Sequence, residues 1–313
     1  MNVLQLDLRE LAQQRTSETL GAEEVTAGLR RDVAILAGEI GERNLRDARR
    51  QRALEEAREY IAAEFAASGH RVHREPYFVQ ETTVENLQIE IAGTDRSNEI
   101  ILVGAHYDTA KNTPGANDNA SGVAALLAIA RGAATTIGRR RTLRLVAFCT
   151  EEPPFTRTPA MGSWVHARAC RRRGDAIVGM LSLETLGYYA DSHRAEHAPF
   201  PLNYGSPWRP DFLAVIGNLR SRALVAQVAG AFDEDGEIRC KSVALPGVLP
   251  GVRSSDQWSF WKEGYRAAML TDTAWLRYRH YHRPSDTPEK LDFPRLAQVT
   301  SGVTRALDRL VTA

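Results

Sequence analysis

The sequence has few cysteines, no long apolar run and no excess of charge of either sign. Its three cysteines are Cys149, Cys170 and Cys240, and none forms a C-x-x-C pair. An odd, scattered set excludes a disulfide framework and a thiolate zinc site, and it suits a reducing compartment. No stretch of about 20 apolar residues is present to span a bilayer. The opening MNVLQLDLRELAQQRTSE places Asp7, Arg9 and Glu10 where a secretory signal would need an apolar core, so a cytoplasmic location is expected. The 40 basic residues are matched by 39 acidic ones, too even a balance to direct the chain to nucleic acid or an anionic membrane surface. Repeats and low-complexity linkers are absent as well.

What is present is a 313-residue chain, 43% hydrophobic, enough for a full core. Residues 1–24 read as a polar N-terminal arm or an irregular helix, and 25–313 as one domain. Leu29, Val33, Leu36, Ala37 and Ile40 recur at helical spacing, and a second helix over Ala53–Ala66 runs to a stop at Ser68-Gly69. Strand patterns follow at Val72–Val79 and Val84–Ile91, and Ile100–Gly104 reads as a buried strand entering His106. Leu143–Cys149, Ile177–Leu183, Phe212–Ile216 and Arg266–Thr271 read as further strands. Asn119–Arg131, Gly162–Arg173, Ser221–Phe232 and Pro294–Val311 read as helices. The alternation predicts an α/β fold, a mostly parallel twisted central sheet sandwiched between helices. The basic tracts Arg139–Arg141 and Arg171–Arg173 read as solvated element ends, and residues 190–210 as a long surface loop able to shape a pocket.

On this layout His106, Asp118, the pair Glu151–Glu152 and Glu184 fall at or just beyond strand ends, the edge where open α/β sheets build sites. Each motif is ambiguous by itself. In Gly104-Ala-His-Tyr-Asp108 the carboxylate of Asp108 could fix the tautomer of a ligating His106, or the histidine could be structural. Asp118, within GANDNASG, suits an N-cap as well as a ligand. Two adjacent glutamates after an apolar strand need protons, partners or metal if they are buried, and they allow one to ligate while the other accepts a proton. Glu184 ends a strand in SLETLGY. His280 and His282 compete in the loop before Asp286. Taken together, imidazole and carboxylate donors without thiolates suit zinc, manganese or cobalt. Three carboxylates against two divalent ions leave one positive charge for a hydroxide, a composition that fits two-metal hydrolysis.

At these residues the sequence resembles the M28 family of zinc peptidases, the aminopeptidase Y and glutamate carboxypeptidase group. The likeness runs from about Val25 to the C-terminus. It rests on GAHYDT, GANDNASG, the EE pair, LETLGY, SSDQWSFW and YHRPSDTPEKLD, six motifs in the family's order. The resemblance implies two zinc ions per chain, with one as the alternative. His106 and Glu184 would hold the first, Glu152 and His282 the second, and Asp118 would bridge them. Glu151 would be the general base toward the water held between them, and Asp108 would orient His106. The family's ligand histidine stands four residues before the aspartate of Asp-Thr, which selects His282 over His280. A cis peptide after the bridging aspartate is also implied, here Asp118–Asn119. Thr150 stands where glycine is frequent, and Gln257 where histidine is.

The activity implied is hydrolysis of peptide bonds, with exopeptidase action ahead of endopeptidase action and an aminopeptidase ahead of a carboxypeptidase. A single-zinc acyl transfer of the glutaminyl cyclase kind, and a non-catalytic binding protein on a peptidase fold, are the alternatives. Arg253 is a candidate anchor for a substrate carboxylate, and Tyr188 and Tyr281 are candidates to line the pocket or stabilise an oxyanion. The expected partner is a peptide or peptide-like small molecule, with no nucleic acid and no membrane. Self-association is left open.

Overall fold

The computed structural model describes residues 21–133, 138–189, 211–233 and 237–313. The surface loop expected at 190–210 and residues 1–20 of the expected arm lie outside these. Residues 21–24 form the first turn of a helix, α1, which covers 21–33 and continues as wider turns over Ala34–Ile40.

Eight strands form one sheet: β1 (His73–Val79), β2 (Thr82–Ile91), β3 (Arg96–His106), β4 (Arg141–Phe148), β5 (Ala176–Glu184), β6 (Phe212–Asn218), β7 (Arg239–Leu245) and β8 (Ala267–Thr271), in the order β1-β2-β4-β3-β5-β8-β6-β7. Strands β4, β3, β5 and β8 run parallel, as do β6 and β7. The β1–β2, β2–β4 and β6–β8 pairs are antiparallel. The sheet is therefore mixed and mostly parallel. Helix α2 (Ala48–Ala67) precedes the strands, α3 (Ser121–Gly132), α4 (Gly162–Arg173), α5 (Arg222–Asp233) and α6 (Gln257–Lys262) lie between them in the chain, and α7 (Phe293–Thr312) follows.

Period-two alternation divides the central strands between two apolar layers. Val103, Ala105, Leu145, Ala147, Leu181, Leu183 and Leu270 join a large core with the inner faces of α1, α2, α3, α5 and α7. Leu102, Val146, Phe148 and Met180 point the other way, toward Ala167 and Cys170 of α4 and Phe260 of α6. Burial on both faces explains why these strands are near-continuous apolar runs. Helix α2 shows how the flanking layer is specified. Asp47 caps it by accepting from the amides of Arg49 and Arg50, and Leu54, Ala57, Ile61 and Phe65 bury one stripe.

Three expectations need correction. Strand β7 was not anticipated, because it sits at the sheet edge with no fully buried residue and so lacks an apolar signature. The six-residue α6 is too short for a periodic pattern. The tract Arg139–Arg141 is not simply solvated: Arg139 is buried and donates to the Ala133 carbonyl, and Arg141 joins Glu99 and the Leu310 carbonyl. No helix among the described residues is long and apolar enough to cross a membrane.

Candidate metal centre

The parallel register of β4, β3, β5 and β8 delivers their C-terminal ends to one edge. His106 ends β3 opposite Phe148 of β4, and Glu184 ends β5 opposite Thr271 of β8. Glu151 and Glu152 follow β4 after a turn at Thr150, whose φ of +55° lies in the left-handed region that favours glycine. That conformation accounts for the frequent glycine in the motif.

Asp118 comes from the loop before α3, and its peptide bond to Asn119 is cis. The rest of that motif holds it in place. Asn119 donates to the Leu183 carbonyl at 2.9 Å and accepts from the Thr185 amide at 3.1 Å. Ser121 accepts from Leu186, and Asn117 accepts from Gly187. The Asp118 loop is thereby tied to the end of β5. A side chain at Gly122 could not be fitted, since its Cβ would lie 2.4 Å from Asn119 Oδ1 and 2.6 Å from the Leu183 carbonyl.

The structure brings His106, Asp118, Glu151, Glu152, Glu184 and His282 into one cluster, buried but for the partly exposed His282. His106 Nε2 is 3.3 Å from Asp118 Oδ1 and 3.3 Å from Glu184 Oε2. His282 Nε2 is 3.0 Å from Asp118 Oδ2 and 3.2 Å from Glu152 Oε2. The two oxygens of Asp118 thus face two different imidazoles, each with a glutamate of its own. Glu151 stands back, with Oε2 4.0 Å from His106 Nε2. His280 is outside the cluster and contacts Ser285 Oγ.

Six polar atoms of the cluster are orphaned as the chain stands. His106 Nε2, both oxygens of Asp118, Oε1 of Glu151 and of Glu152, and His282 Nε2 are buried with no hydrogen-bond partner. Burial and the Asp118 charge raise the Glu152 carboxyl to about 7, and the same causes raise Glu184. Burial also pushes Glu151 well up, against the pull of His106 and with help from Glu152 and Glu184. The side chains of Asp118 and Glu152 bring the His282 imidazole to about 10 despite its own desolvation. Despite its burial Asp118 is held low by the two imidazoles, while the three glutamates are pushed up, so the pocket gathers more negative charge than its surroundings balance. Divalent cations would supply that balance. His106, Asp118 and Glu152 offer donor atoms within 4.8 Å of one another, so the residues present fit a metal.

Asp108 stands against His106, with its Oδ1 3.5 Å and its main-chain oxygen 3.2 Å from His106 Nδ1. Its carboxylate also accepts from both amides of the glutamate pair, Glu151 at Oδ1 and Glu152 at Oδ2, each at 3.1 Å. Of the substrate candidates, Tyr281 stacks on His282 at 3.9 Å between ring centroids and lines a cavity beside Glu184. The Tyr188 ring packs on Tyr278, and Arg253, whose Nε is buried without a partner, is not among the residues around that cavity.

Several supporting residues escaped the sequence reading. Asp286 accepts from the Asn117 amide, the Asp118 amide and the Tyr278 hydroxyl, which ties the His282 loop to the Asp118 loop. It stands in the YHRPSDT motif, so a signal existed. Ser255 donates to Glu184 Oε2 at 2.7 Å. Asp256 next to it is fully buried with neither oxygen hydrogen-bonded. Arg43, fully buried, gives its guanidinium to the carbonyls of Leu36, Gly41, Tyr107, Pro114 and Gly115. It had no signal, because an arginine in a polar connection between two helices reads as surface. Arg43→Met would leave these carbonyls without their donor and is expected to cost about 3–5 kcal/mol of stability. Urea unfolding of the two proteins at one pH, with unchanged m-values, measures it.

Comparison with known proteins places the chain in a family. The profile of peptidase family M28 matches residues 86–307. An uncharacterized protein of Escherichia coli K12, YfbL, is 36% identical over 263 residues, 81% of this chain and 80% of its own. The chain belongs to peptidase family M28. Among solved structures, a zinc aminopeptidase from Bacillus subtilis shares the fold with a TM-score of 0.72 at 15% identity, over 92% of this chain and 95% of that one. A glutaminyl cyclase from Porphyromonas gingivalis does so with a TM-score of 0.67 at 18% identity, over 93% and 98%.

Proposed function

We propose that the chain is a two-zinc aminopeptidase. The observation that carries this reading is the pair of triads that share Asp118. Tetrahedral zinc with ligands at about 2.0–2.1 Å sets neighbouring donor atoms roughly 3.3 Å apart. The four separations of 3.0–3.3 Å around His106 and His282 have that spacing without being hydrogen bonds. His106, Glu184 and Asp118 would hold one ion, and His282, Glu152 and Asp118 the other.

Bound zinc would polarise the scissile carbonyl and make a water acidic enough to attack it. The chain's own work is done by Glu151. Its carboxylate takes the proton from the attacking water and returns it to the leaving amine. Asp108 holds Glu151 and Glu152 through their amides, so the base and a ligand keep a fixed relation. The choice of the amino end rests on charge. Among the described residues around the adjoining cavity the only charged one is Glu184. No lysine or arginine there could receive a terminal carboxylate.

A panel of dipeptides, free, N-acetylated or C-amidated, run with zinc analysis of the same sample, tests the reading. Two zinc ions per chain and hydrolysis lost on acetylation are expected. Hydrolysis lost on amidation instead would indicate a carboxypeptidase. A single zinc with loss of ammonia from N-terminal glutamine would indicate cyclisation.

A further inference from the structure

The metal centre occupies one edge of the sheet, and a second cavity opens toward the opposite edge. It holds about 510 Å³, within the roughly 300–1,000 Å³ usual for small-molecule sites. Ile101 of β3 and Val178 of β5 form its floor, and Leu224 of α5 and Leu310 of α7 its apolar walls. From that floor β3 and β5 run on to His106 and Glu184 at their ends. At about 3.3 Å per residue the two places stand roughly 16–20 Å apart along the strands. Helix α5 lends the rim Ala223, Ala226, Gln227 and Gly230, and a Cβ built on Gly230 would meet nothing within 4 Å. The space is therefore left open from that side. The charged side chains around it are Arg141, Arg266 and Arg309, and no acidic residue is among those that line it. Arg141 is committed, since it joins Glu99 at 2.7 Å and the Leu310 carbonyl. Arg309 reaches the Gly230 carbonyl across the rim, and the Ala313 main-chain oxygen accepts from Arg96. Arg266 stands exposed just ahead of β8, and its guanidinium has no hydrogen-bond or ion-pair partner among the described residues.

We propose that this cavity is a second ligand site, shaped for a small amphipathic anion whose apolar body lies on the floor and whose carboxylate or phosphate head meets Arg266. The assignment is independent of the aminopeptidase reading, because no residue of the metal centre takes part. Each half of the ligand follows from one half of the cavity. Ile101, Val178, Leu224 and Leu310 gain when an apolar body displaces water from them. A compact inorganic anion would leave that floor wet. A neutral hydrocarbon would cover the floor and leave the Arg266 guanidinium unused, whereas an anionic head accepts from it in a charge-assisted hydrogen bond. A cation would face three guanidinium groups with no carboxylate among the lining side chains to offset them.

Isothermal titration calorimetry on the zinc-loaded chain tests it, with octanoate, octyl phosphate, octanol and octyltrimethylammonium, each below its micelle concentration. At least one of the two anions should bind with one site per chain, and the tighter of them identifies the head group. Octanol should bind about 5-fold more weakly, the worth of a partly exposed ion pair, and octyltrimethylammonium not measurably. Two variants localise the site. Arg266→Glu exchanges an attraction for a repulsion and should weaken the anion about 10-fold. Ala226→Trp fills the cavity from an exposed helix position and should abolish binding. Both variants should keep the zinc content and the melting temperature of the wild type. A carboxylate or phosphate can also meet a metal, so the titrations are repeated after chelation, where binding should persist. Heat that vanishes on chelation and survives Ala226→Trp would put the anion on the metals and overturn the proposal. Octanol binding as tightly as the anions, unchanged anion affinity in a folded Arg266→Glu, or no binding of either anion would overturn it too.

Discussion

Glu151→Gln is expected to keep its full zinc content and to lose turnover by about 10²–10⁴-fold, the worth of a positioned general base. At 1.36 kcal/mol per decade this is about 3–5 kcal/mol of barrier. The geometry separates the two glutamates. Glu152 Oε2 lies 3.2 Å from His282 Nε2, the spacing of two ligands on one small ion, whereas Glu151 Oε2 is 4.0 Å from His106 Nε2 and its Oε1 has no partner. Burial and the neighbouring carboxylates raise the proton affinity of Glu151, which suits a group that must accept a proton and then give it up. Glutamine has the same shape, and the Asp108 contacts run to main-chain amides, so the substitution leaves the ligands where they are. The loss should therefore fall on kcat with KM little changed. Zinc analysis and steady-state rates on one preparation decide it, and near-wild-type turnover would remove Glu151 from the mechanism.

The same contrast shows what a sequence can and cannot disclose here. Strands β3, β4, β5 and β8 were legible because burial on both faces makes them continuous apolar runs, and a polar residue closing such a run is conspicuous. His106, the glutamate pair and Glu184 all announce themselves in this way. Asp118 and His282 lie in loops and gained meaning only beside motifs that resemble a family. What the chain could not display is pairing at the level of atoms. Nothing in the order of residues says that Asp118 turns one oxygen to His106 and the other to His282, or that Asp108 spends its carboxylate on two amides. Arg43 was opaque for a related reason. Its partners are main-chain carbonyls, which every residue carries, so no side-chain pattern marks it. Strand β7 was missed because half-burial at a sheet edge leaves no alternation to read.

These supporting contacts also explain why the cluster can tolerate so many acids. Asp286, raised to about 7 by burial, is held by two amides and a hydroxyl, and Asp272 by the Asn117 side chain and the Tyr188 and Ala274 amides. Those carboxylates are satisfied by the fold itself. The inward oxygens of Asp118, Glu151 and Glu152 are not. The fold thus separates acids that build the loops from acids left open toward one small volume, and only the second group requires cations.

Asp118→Asn should therefore remove metal from both positions at once. Each imidazole would keep its own glutamate, but the shared oxygen donor would be lost on one side and the bridging charge on both. Zinc affinity is expected to fall by more than about 100-fold, beyond the 10–100-fold that losing an outer hydrogen-bonding partner costs. Thermal stability gives a readout independent of turnover. A ligand at 100 times its Kd stabilises the folded state by about 2.7 kcal/mol per site, so chelation should lower the melting temperature of the wild type and scarcely move that of Asp118→Asn. His280→Gln is the matched comparison. Its imidazole contacts Ser285 rather than the cluster, and it should keep both the zinc and the response to chelator. If Asp118→Asn bound two zinc ions with undiminished affinity, the bridging role of Asp118 would be refuted while Glu151 could still be the base.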